Sequence, residues 1–552
     1  MLPKHLEKDI EQLDAEGFKQ MLIIAGNYLK EAEEELNNLN VFPVPDGDTG
    51  TNMYLTLSDA IAEIEKSEAE TVGELADQLA RGALMGARGN SGVILSQLLK
   101  GFADGIGDAR VLTGQILADA LEQAADKACQ AVMKPVEGTI LTVARDVGIK
   151  SEQLIEEPNM VKFLKEVIAE AEASVKRTPE LLDALKEAGV VDAGGKGYQI
   201  FLTGLLYGIV AEEKVDYQQQ DCGDEQQESV ITEREIEFGY CTEFVIKDAA
   251  IAVDAFRELI ADYGDSLLVV EADRILRVHI HTEHPGEVLE AGLKYGQLIK
   301  IKIDNMAEQH QERQEIENNK TEGVSVKQGV EEVEDDLAVL AVAAGDGLKE
   351  IFISLGSEYV LKGGQTTNPS TQDLLKGVEK LSAEQVIILP NNKNVISTAK
   401  QVKELTDKEV EVVPTATIPQ GISAMVAFNP EGKLEEVSAE MKEELQFVKT
   451  GEVTYATRDT KIKDVEIGEG DILGLAEGEI EVVTSSSNQA VLNLLAEMIA
   501  EGDSLITVYA GQDVTMEEQE GLMASLKEEY SEFDVEVYDG KQPIYYYILS
   551  IE

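Results

Sequence analysis

Asn40–Met53 reads N-V-F-P-V-P-D-G-D-T-G-T-N-M. Pro43 and Pro45 bar this run from a helix interior, because proline fixes φ and removes a backbone donor. Asp46 and Asp48 follow on either side of Gly47, then Gly50, Thr51 and Asn52, and an apolar helical pattern resumes at Met53. A stiff approach therefore delivers two hard oxygen ligands into a turn just before a helix N-terminus. Such a turn suits Mg²⁺, which keeps several waters and takes one or two carboxylates plus substrate phosphates. The N–H groups that open the next helix can hold a phosphate. D-G-D-T-G alone is equally the chemistry of an Asx-type turn capping a helix, so the balance rests on what stands around it.

On both sides of this turn the pattern is helical. Phe18, Leu22, Ile23, Ala25 and Leu29 give one amphipathic face, and similar periodicity recurs in 55–64, 72–84, 93–102, 118–133, 160–175 and 200–210. No alternating strand pattern competes with it. The spacing predicts about eight helices joined by short turns, an all-α bundle domain over 1–211. A polar linker follows at 212–235, containing Y-Q-Q-Q-D-C-G-D-E-Q-Q-E-S and Cys222. Over 236–306 the order strand, helix (251–263), strand, strand, helix, strand is that of a split βαβ, ferredoxin-like α+β domain. A second charged linker covers 307–336. From 337 to 552, runs such as L-A-V-L-A-V-A-A, E-Q-V-I-I-L-P and E-V-E-V-V-P-T alternate with helical patterns. That predicts an α/β domain with a parallel layer. More β-rich sequence after Thr450 suggests two lobes.

Composition narrows the function. At 552 residues the chain is too long for one core, and roughly three or four domains is the expectation. Hydrophobic residues make up 43% and the formal net charge is −59. So acidic a surface repels nucleic acid and anionic membrane. The three cysteines, Cys129, Cys222 and Cys241, build no disulfide framework. The first residues are charged rather than signal-like, and no apolar run approaches membrane-spanning length. A cytoplasmic protein without membrane insertion is expected.

Three further Gly-marked loops lie in the helical part. Arg81–Gly92, R-G-A-L-M-G-A-R-G-N-S-G, places Gly86, Gly89 and Gly92 three apart, with Ser91 at a helix start. This suits a backbone nest around phosphate oxygens; close helix–helix packing through small residues is the plainer alternative. Met133–Arg145, M-K-P-V-E-G-T-I-L-T-V-A-R, feeds a helix through Thr139. Gly189–Gly197, G-V-V-D-A-G-G-K-G, misses the P-loop pattern because Gly197 follows Lys196. Its helical surroundings also argue against that fold. Together these loops describe a nucleotide-type site built on a helix bundle.

D-G-D-T-G-T-N-M, G-A-R-G-N-S-G, E-G-T-I-L-T-V-A-R and V-V-D-A-G-G-K-G, in this order, resemble the nucleotide-binding L domain of the dihydroxyacetone-kinase superfamily. With N-V-F-P-V-P and the three-part layout, the closer resemblance is to the ATP-binding large subunit of bacterial fatty acid kinase, and it covers essentially the whole chain. The resemblance implies an all-α eight-helix barrel holding ATP and two Mg²⁺ ions at one end. It implies Asp46 and Asp48 as metal ligands, with Thr49, Thr51, Asn52 and the loop Gly89, Asn90, Ser91 and Gly92 near the phosphates. Thr139, Arg145 and the turn from Asp192 to Gly194 would complete the pocket. Dihydroxyacetone-kinase L subunits carry a third metal-binding Asp five residues before this pair; that position is Val41 here, beside Asn40, which leaves the third ligand open. The implied reaction is phosphorylation of a fatty acid held in a separate DegV-family carrier protein, giving acyl phosphate for phospholipid synthesis. The region 337–552 would dock that carrier, and a homodimer is expected. A carboxylate acceptor is ionised at neutral pH, so no general base is required.

In the middle domain His279 and His281 stand two apart on one strand and share a face. In the usual strand order of that topology Cys241, on the first strand, neighbours them. Cys-His-His is a reasonable Zn²⁺ set with one position open, for which His284 is a candidate. Strand histidines that only cover a sheet are the competing reading. In the C-terminal part V-A-A-G-D-G-L-K-E-I-F and G-G-Q-T-T-N-P-S-T are candidate anion loops, with turn and cap chemistry preferred for both. Two other functions compete with the leading one. A glycerone or small polyol kinase would need a substrate-binding partner with a covalent His, a motif this chain lacks. A nucleotide-gated scaffold without catalysis is the non-enzyme alternative.

Overall fold

The structure, a computed structural model, describes residues 8–40, 47–132, 135–211, 240–247, 251, 256, 259–260, 263–272, 275–282, 284–305, 337–364, 368–462 and 465–552. Asp46, Cys222, the expected linkers at 212–235 and 307–336, and most of the expected helix at 251–263 lie outside the described residues. The chain divides into two compact units, residues 1–220 with 332–552 and residues 221–331.

In the first unit, the described residues up to 211 form ten helices: α1 Ala15–Glu31, α2 Glu33–Asn38, α3 Thr49–Glu65, α4 Val72–Gly86, α5 Gly89–Ile106, α6 Gly114–Ala131, α7 Ile140–Gln153, α8 Met160–Leu181, α9 Asp183–Ala188 and α10 Ala193–Val210. Two of them, α2 and α9, are six-residue pieces too short to show a period in sequence. Local chemistry sets several starts: Asp14 accepts from Gly17 N at 2.9 Å, Thr71 from Glu74 N at 3.2 Å and Asn159 from Val161 N at 3.0 Å. Each is an N-cap that satisfies an otherwise orphaned donor. The apolar faces converge on one core that includes Phe18, Leu57, Ile61, Phe102, Leu121, Phe163 and Leu205. α1 and α10 lie almost backbone to backbone, since a Cβ on Gly204 would sit 2.5 Å from Ala25 Cα. A two-residue pairing of Gln12–Leu13 with Leu112–Thr113 adds a small strand element that the helical pattern did not suggest.

The same unit continues into the C-terminal α/β part. Strands Leu337–Ala343, Tyr359–Lys362, Gln385–Leu389 and Glu409–Val412 make a parallel sheet in the spatial order fourth, third, first, second. Leu337, Val339 and Ala341 belong to one core cluster, Ala338, Leu340 and Val342 to another. Both faces are covered, which is why the strand reads as an unbroken apolar run. A second sheet has six strands, in the order Glu479–Thr484, Ile472–Ala476, Lys449–Tyr455, Tyr547–Ile551, Leu505–Ala510, Asp534–Asp539. Only its last pair is parallel. The helical part and this α/β part touch directly: Met85 of α4 packs against the core cluster of Leu340, Leu374 and Ile388.

In the second unit, strands Tyr240–Lys247, Gly264–Ala272, Ile275–Thr282 and Gln297–Asn305 form an antiparallel sheet ordered second, third, first, fourth. Cys241 pairs with His281 in register and Glu243 with His279. Phe244, Ile246, Val278 and Ile280 are buried in this unit's core. By the two-residue period, positions 241, 279 and 281 fall on the other face. Their side chains lie outside the described residues.

Candidate functional site

α3 starts directly after Asp48, which occupies its N-cap but makes no side-chain cap bond. The cap comes from elsewhere. Asn37, at the end of α2, accepts from Gly50 N at 2.7 Å and Thr51 N at 3.2 Å. Its amide donates to Thr51 Oγ1 at 3.0 Å, and that hydroxyl donates to Glu33 Oε1 at 2.6 Å. Thr51 is thus turned toward α2. Thr49 instead points its hydroxyl to Asn40 Oδ1 at 2.9 Å. Ser91 Oγ, in the first turn of α5, stands 3.5 Å from Thr49 Oγ1. Two helix N-termini, with their positive dipole ends, therefore meet.

Gly89 opens α5 with φ +59°, and a Cβ there would lie 2.3 Å from Asn52 Nδ2. On Gly92 it would lie 2.3 Å from Thr56 Oγ1. Small residues here serve a backbone conformation and a close approach together. Arg88 donates to Asp59 Oδ2 at 2.6 Å; burial still leaves that carboxyl above its ordinary range, against the pull of Arg88.

The C-terminal part forms the other wall. Asn368 Nδ2 donates to Asp48 Oδ2 at 2.5 Å and to Asn52 Oδ1 at 3.3 Å. Thr371 N donates to Ala87 O at 3.0 Å, and Ser397 Oγ to Asn90 Oδ1 at 2.9 Å. Arg458 donates to Asn38 O at 2.7 Å and Asn40 O at 2.5 Å. Between the walls lies a cleft of about 340 Å³. Asn40, Asp48, Thr49, Asn90 and Ser91 line it from the helical side, and Lys393, Thr417, Gln420, Thr450 and Glu477 are among those facing them.

A second group gathers at the starts of α7 and α10. Thr139 precedes α7 and donates to Val136 O at 2.8 Å. Arg145 grips Glu137 through two bonds of 2.6 and 2.8 Å. Those bonds and one from Thr142 hold the Glu137 carboxyl down at about 2. Asp192 caps α10 by accepting from Gly195 N at 2.6 Å, and burial pushes its carboxyl up to about 6. A Cβ on Gly194 would sit 3.2 Å from that of Ile140, so the two helix starts abut. Thr139, Arg145, Asp192 and Gly194 do not line the cleft that Asp48 lines.

Around Asp48 the donors are a carboxylate, hydroxyls and amide oxygens. This hard-oxygen set suits Mg²⁺ with phosphate ligands rather than a softer metal. Among the described residues no three His, Cys, Asp or Glu side chains gather to hold a metal by themselves. Sequence reading named Asp48, Thr49, Asn90 and Ser91, but missed Asn37, Asn368 and Arg458. Asn368 lies in the G-G-Q-T-T-N-P-S-T loop, read mainly as turn chemistry. Ser370 and Asp373 do form a capping box there. The other candidate anion loop is a packing device: a Cβ on Gly347 would sit 1.8 Å from Asp539 O.

A helical part and an α/β part that walls its cleft belong to one multidomain protein. Residues 43–207 match the DAK2 domain, 237–313 the FakA-like middle domain of fatty acid kinase, and 338–552 the FakA-like C-terminal domain of fatty acid kinase. Protein YloV of Bacillus subtilis is 42% identical over 98% of this chain and 100% of its own length. An uncharacterized protein of Staphylococcus haemolyticus is 41% identical over 98% of this chain and 100% of its own. The chain belongs to the FakA-like fatty acid kinase family. Among solved structures, a DegV family protein of Corynebacterium glutamicum is similar at 17% identity, covering 39% of this chain and 96% of that one, with a TM-score of 0.30. The Streptococcus pneumoniae Fak B3 protein loaded with linoleic acid is similar at 14% identity, covering 33% and 76%, with a TM-score of 0.25. Among the described residues no helix is long and apolar enough to cross a membrane.

Proposed function

We propose that this chain is a kinase that phosphorylates a fatty acid bound to a separate DegV-family carrier protein, consuming ATP and releasing acyl phosphate and ADP. The observation that carries the reading is the meeting of the α3 and α5 N-termini around Asp48, Thr49 and Ser91, on a chain of the FakA-like fatty acid kinase family. Asp48, with Asp46, would hold magnesium, which when bound neutralises phosphate charge. The hydroxyls of Thr49 and Ser91 and the N–H groups that open α5 would orient phosphate oxygens. The fatty acid carboxylate attacks the γ-phosphorus, the bond to the β–γ bridging oxygen breaks, and ADP leaves with that electron pair. Because the nucleophile is already an anion, no side chain has to take a proton, and among the described residues the cleft lining contains no histidine. Thr139, Asp192 and Gly194 would shape the nucleotide pocket, with Arg145 kept beside it by Glu137.

The middle unit is proposed to bind Zn²⁺ through Cys241, His279 and His281. The in-register pairing of Cys241 with His281 supports this, as does the place of His279 on the same face. The ion would serve stability or pairing with a second copy, not phosphoryl transfer.

The deciding experiment incubates the full chain with ATP, Mg²⁺ and a carrier loaded with fatty acid, trapping acyl phosphate with hydroxylamine. ADP and acyl hydroxamate should form together and only with loaded carrier. Equal ADP release without carrier, or phosphorylation of dihydroxyacetone in its place, rejects the reading.

A further inference from the structure

Asp48 is the one described carboxylate among the expected metal ligands, and a side chain found on its Oδ2 comes from 320 residues further along the sequence. Asn368 is 3% exposed, and its Nδ2 stands 2.5 Å from Asp48 Oδ2 and 3.3 Å from Asn52 Oδ1. An amide nitrogen has two protons, one for each of these oxygens. It has no lone pair to offer a cation, so its part toward Asp48 is orientation rather than ligation.

The amide is held firmly enough for that part. Pro369 follows it, then the Ser370–Asp373 capping box, with Ser370 N to Asp373 Oδ2 at 2.9 Å and Asp373 N to Ser370 Oγ at 3.1 Å. The box starts the helix Thr371–Lys380. Thr371 then ties this start to the loop before α5, its N–H and hydroxyl reaching Ala87 O at 3.0 and 3.3 Å. Asn52, 2% exposed, completes the link, with Gly89 against its Nδ2 and Asn368 against its Oδ1. One buried amide thus joins the carboxylate at the start of α3 to the glycine turn at the start of α5.

We propose that Asn368 is a positioning residue of the phosphate site, orienting Asp48 and Asn52 for a magnesium nucleotide, so that the C-terminal domain is part of the site as well as a platform beside it. The proposal rests on the kinase reading of Asp48. Hydrogen-bond partners of a ligating carboxylate are worth about 10–100-fold in metal affinity or activity when removed.

The test uses the full chain and reads ADP binding as Mg²⁺ is titrated, for wild type, Asn368→Ala, Asn368→Leu, Thr371→Val and Asp48→Ala. Asn368→Leu keeps the branching at Cγ without the donor and decides the matter if the alanine variant does not fold. Both Asn368 variants should raise the Mg²⁺ midpoint about tenfold or more. Thr371→Val removes an interdomain hydroxyl that touches neither Asp48 nor Asn52 but leaves the backbone N–H bond to Ala87 O in place, so it should move the midpoint less than the Asn368 variants do. An unchanged midpoint in the Asn368 variants overturns the proposal. A lowered midpoint does so too, because the amide would then compete with the ion. An equal shift in Thr371→Val also overturns it, since domain docking in general would then be the cause. Asp48→Ala separates the two levels. If it keeps Mg²⁺-dependent ADP binding, the kinase reading of this site falls; if it loses that binding while the Asn368 variants are normal, only the role of Asn368 falls.

Discussion

Alanine at position 89 puts the reading of the glycine turn to a quantitative test. Gly89 has φ +59°, where an L-residue costs about 1–2 kcal/mol. The added Cβ would lie 2.3 Å from Asn52 Nδ2 and 3.2 Å from Asn368 Nδ2. Asn52 is 2% exposed and has no open space to retreat into. Its displacement breaks the bond from Asn368, and leaving buried polar atoms unpaired adds about 1–3 kcal/mol. The sum is about 2–5 kcal/mol. For a helical domain of this size it should lower the melting temperature by on the order of 5–15 °C. Gly107→Ala is the control for backbone strain without a clash: φ is +55° and ψ −142°, and nothing lies within 4 Å of the added Cβ. Calorimetry with and without magnesium and ADP supplies the functional arm. Ligand that binds the native state raises the melting temperature, and Gly89→Ala should lose that increment while Gly107→Ala keeps it. The increment intact in both variants would refute the argument that this glycine shapes a phosphate site.

Three further outcomes are expected. Asp48→Ala should slow phosphoryl transfer by about a hundredfold or more while leaving the helical fold in place; near-normal turnover at saturating Mg²⁺ would remove Asp48 from the site. Asp192 has its carboxyl raised by burial from 3.8 to about 6. Its stabilising contribution is complete below the lower value and lost as pH rises through the upper one. Denaturation midpoints should therefore fall across that window in the wild type and flatten in Asp192→Asn; parallel curves would contradict it. Elemental analysis of protein purified without added metal should show about one zinc per chain, absent in Cys241→Ala; metal-free wild type with unchanged stability leaves Cys241, His279 and His281 as ordinary strand residues.

Periodicity and turn chemistry carried much of the fold. The long helices α1, α3, α4, α5, α6, α8 and α10 each bury one stripe, and a stripe at helical spacing is written directly in the residue order. The strands buried on both faces, such as Leu337–Ala343, announced themselves as apolar runs. Tyr359–Lys362 and Asp534–Asp539 did not. They are edge strands, mostly half-buried or exposed; one is only four residues long and the other alternates apolar with acidic residues, so neither reads as an apolar run. The short helices α2 and α9 escaped because six residues do not complete two turns.

The site divides along the same line. Asp48, Thr49, Asn90 and Ser91 were legible because hard ligands, hydroxyls and glycines stand next to helix starts, where backbone donors are left over whatever the rest of the chain does. Asn37, Asn368 and Arg458 were not. An asparagine in sequence is a turn former, and only the packing of the α/β domain against the helical one brings Asn368, 320 residues away, onto Asp48. Local sequence specifies which backbone groups are left unsatisfied; which distant side chain satisfies them is decided by how two independently patterned surfaces fit together, and no spacing along the chain encodes that fit.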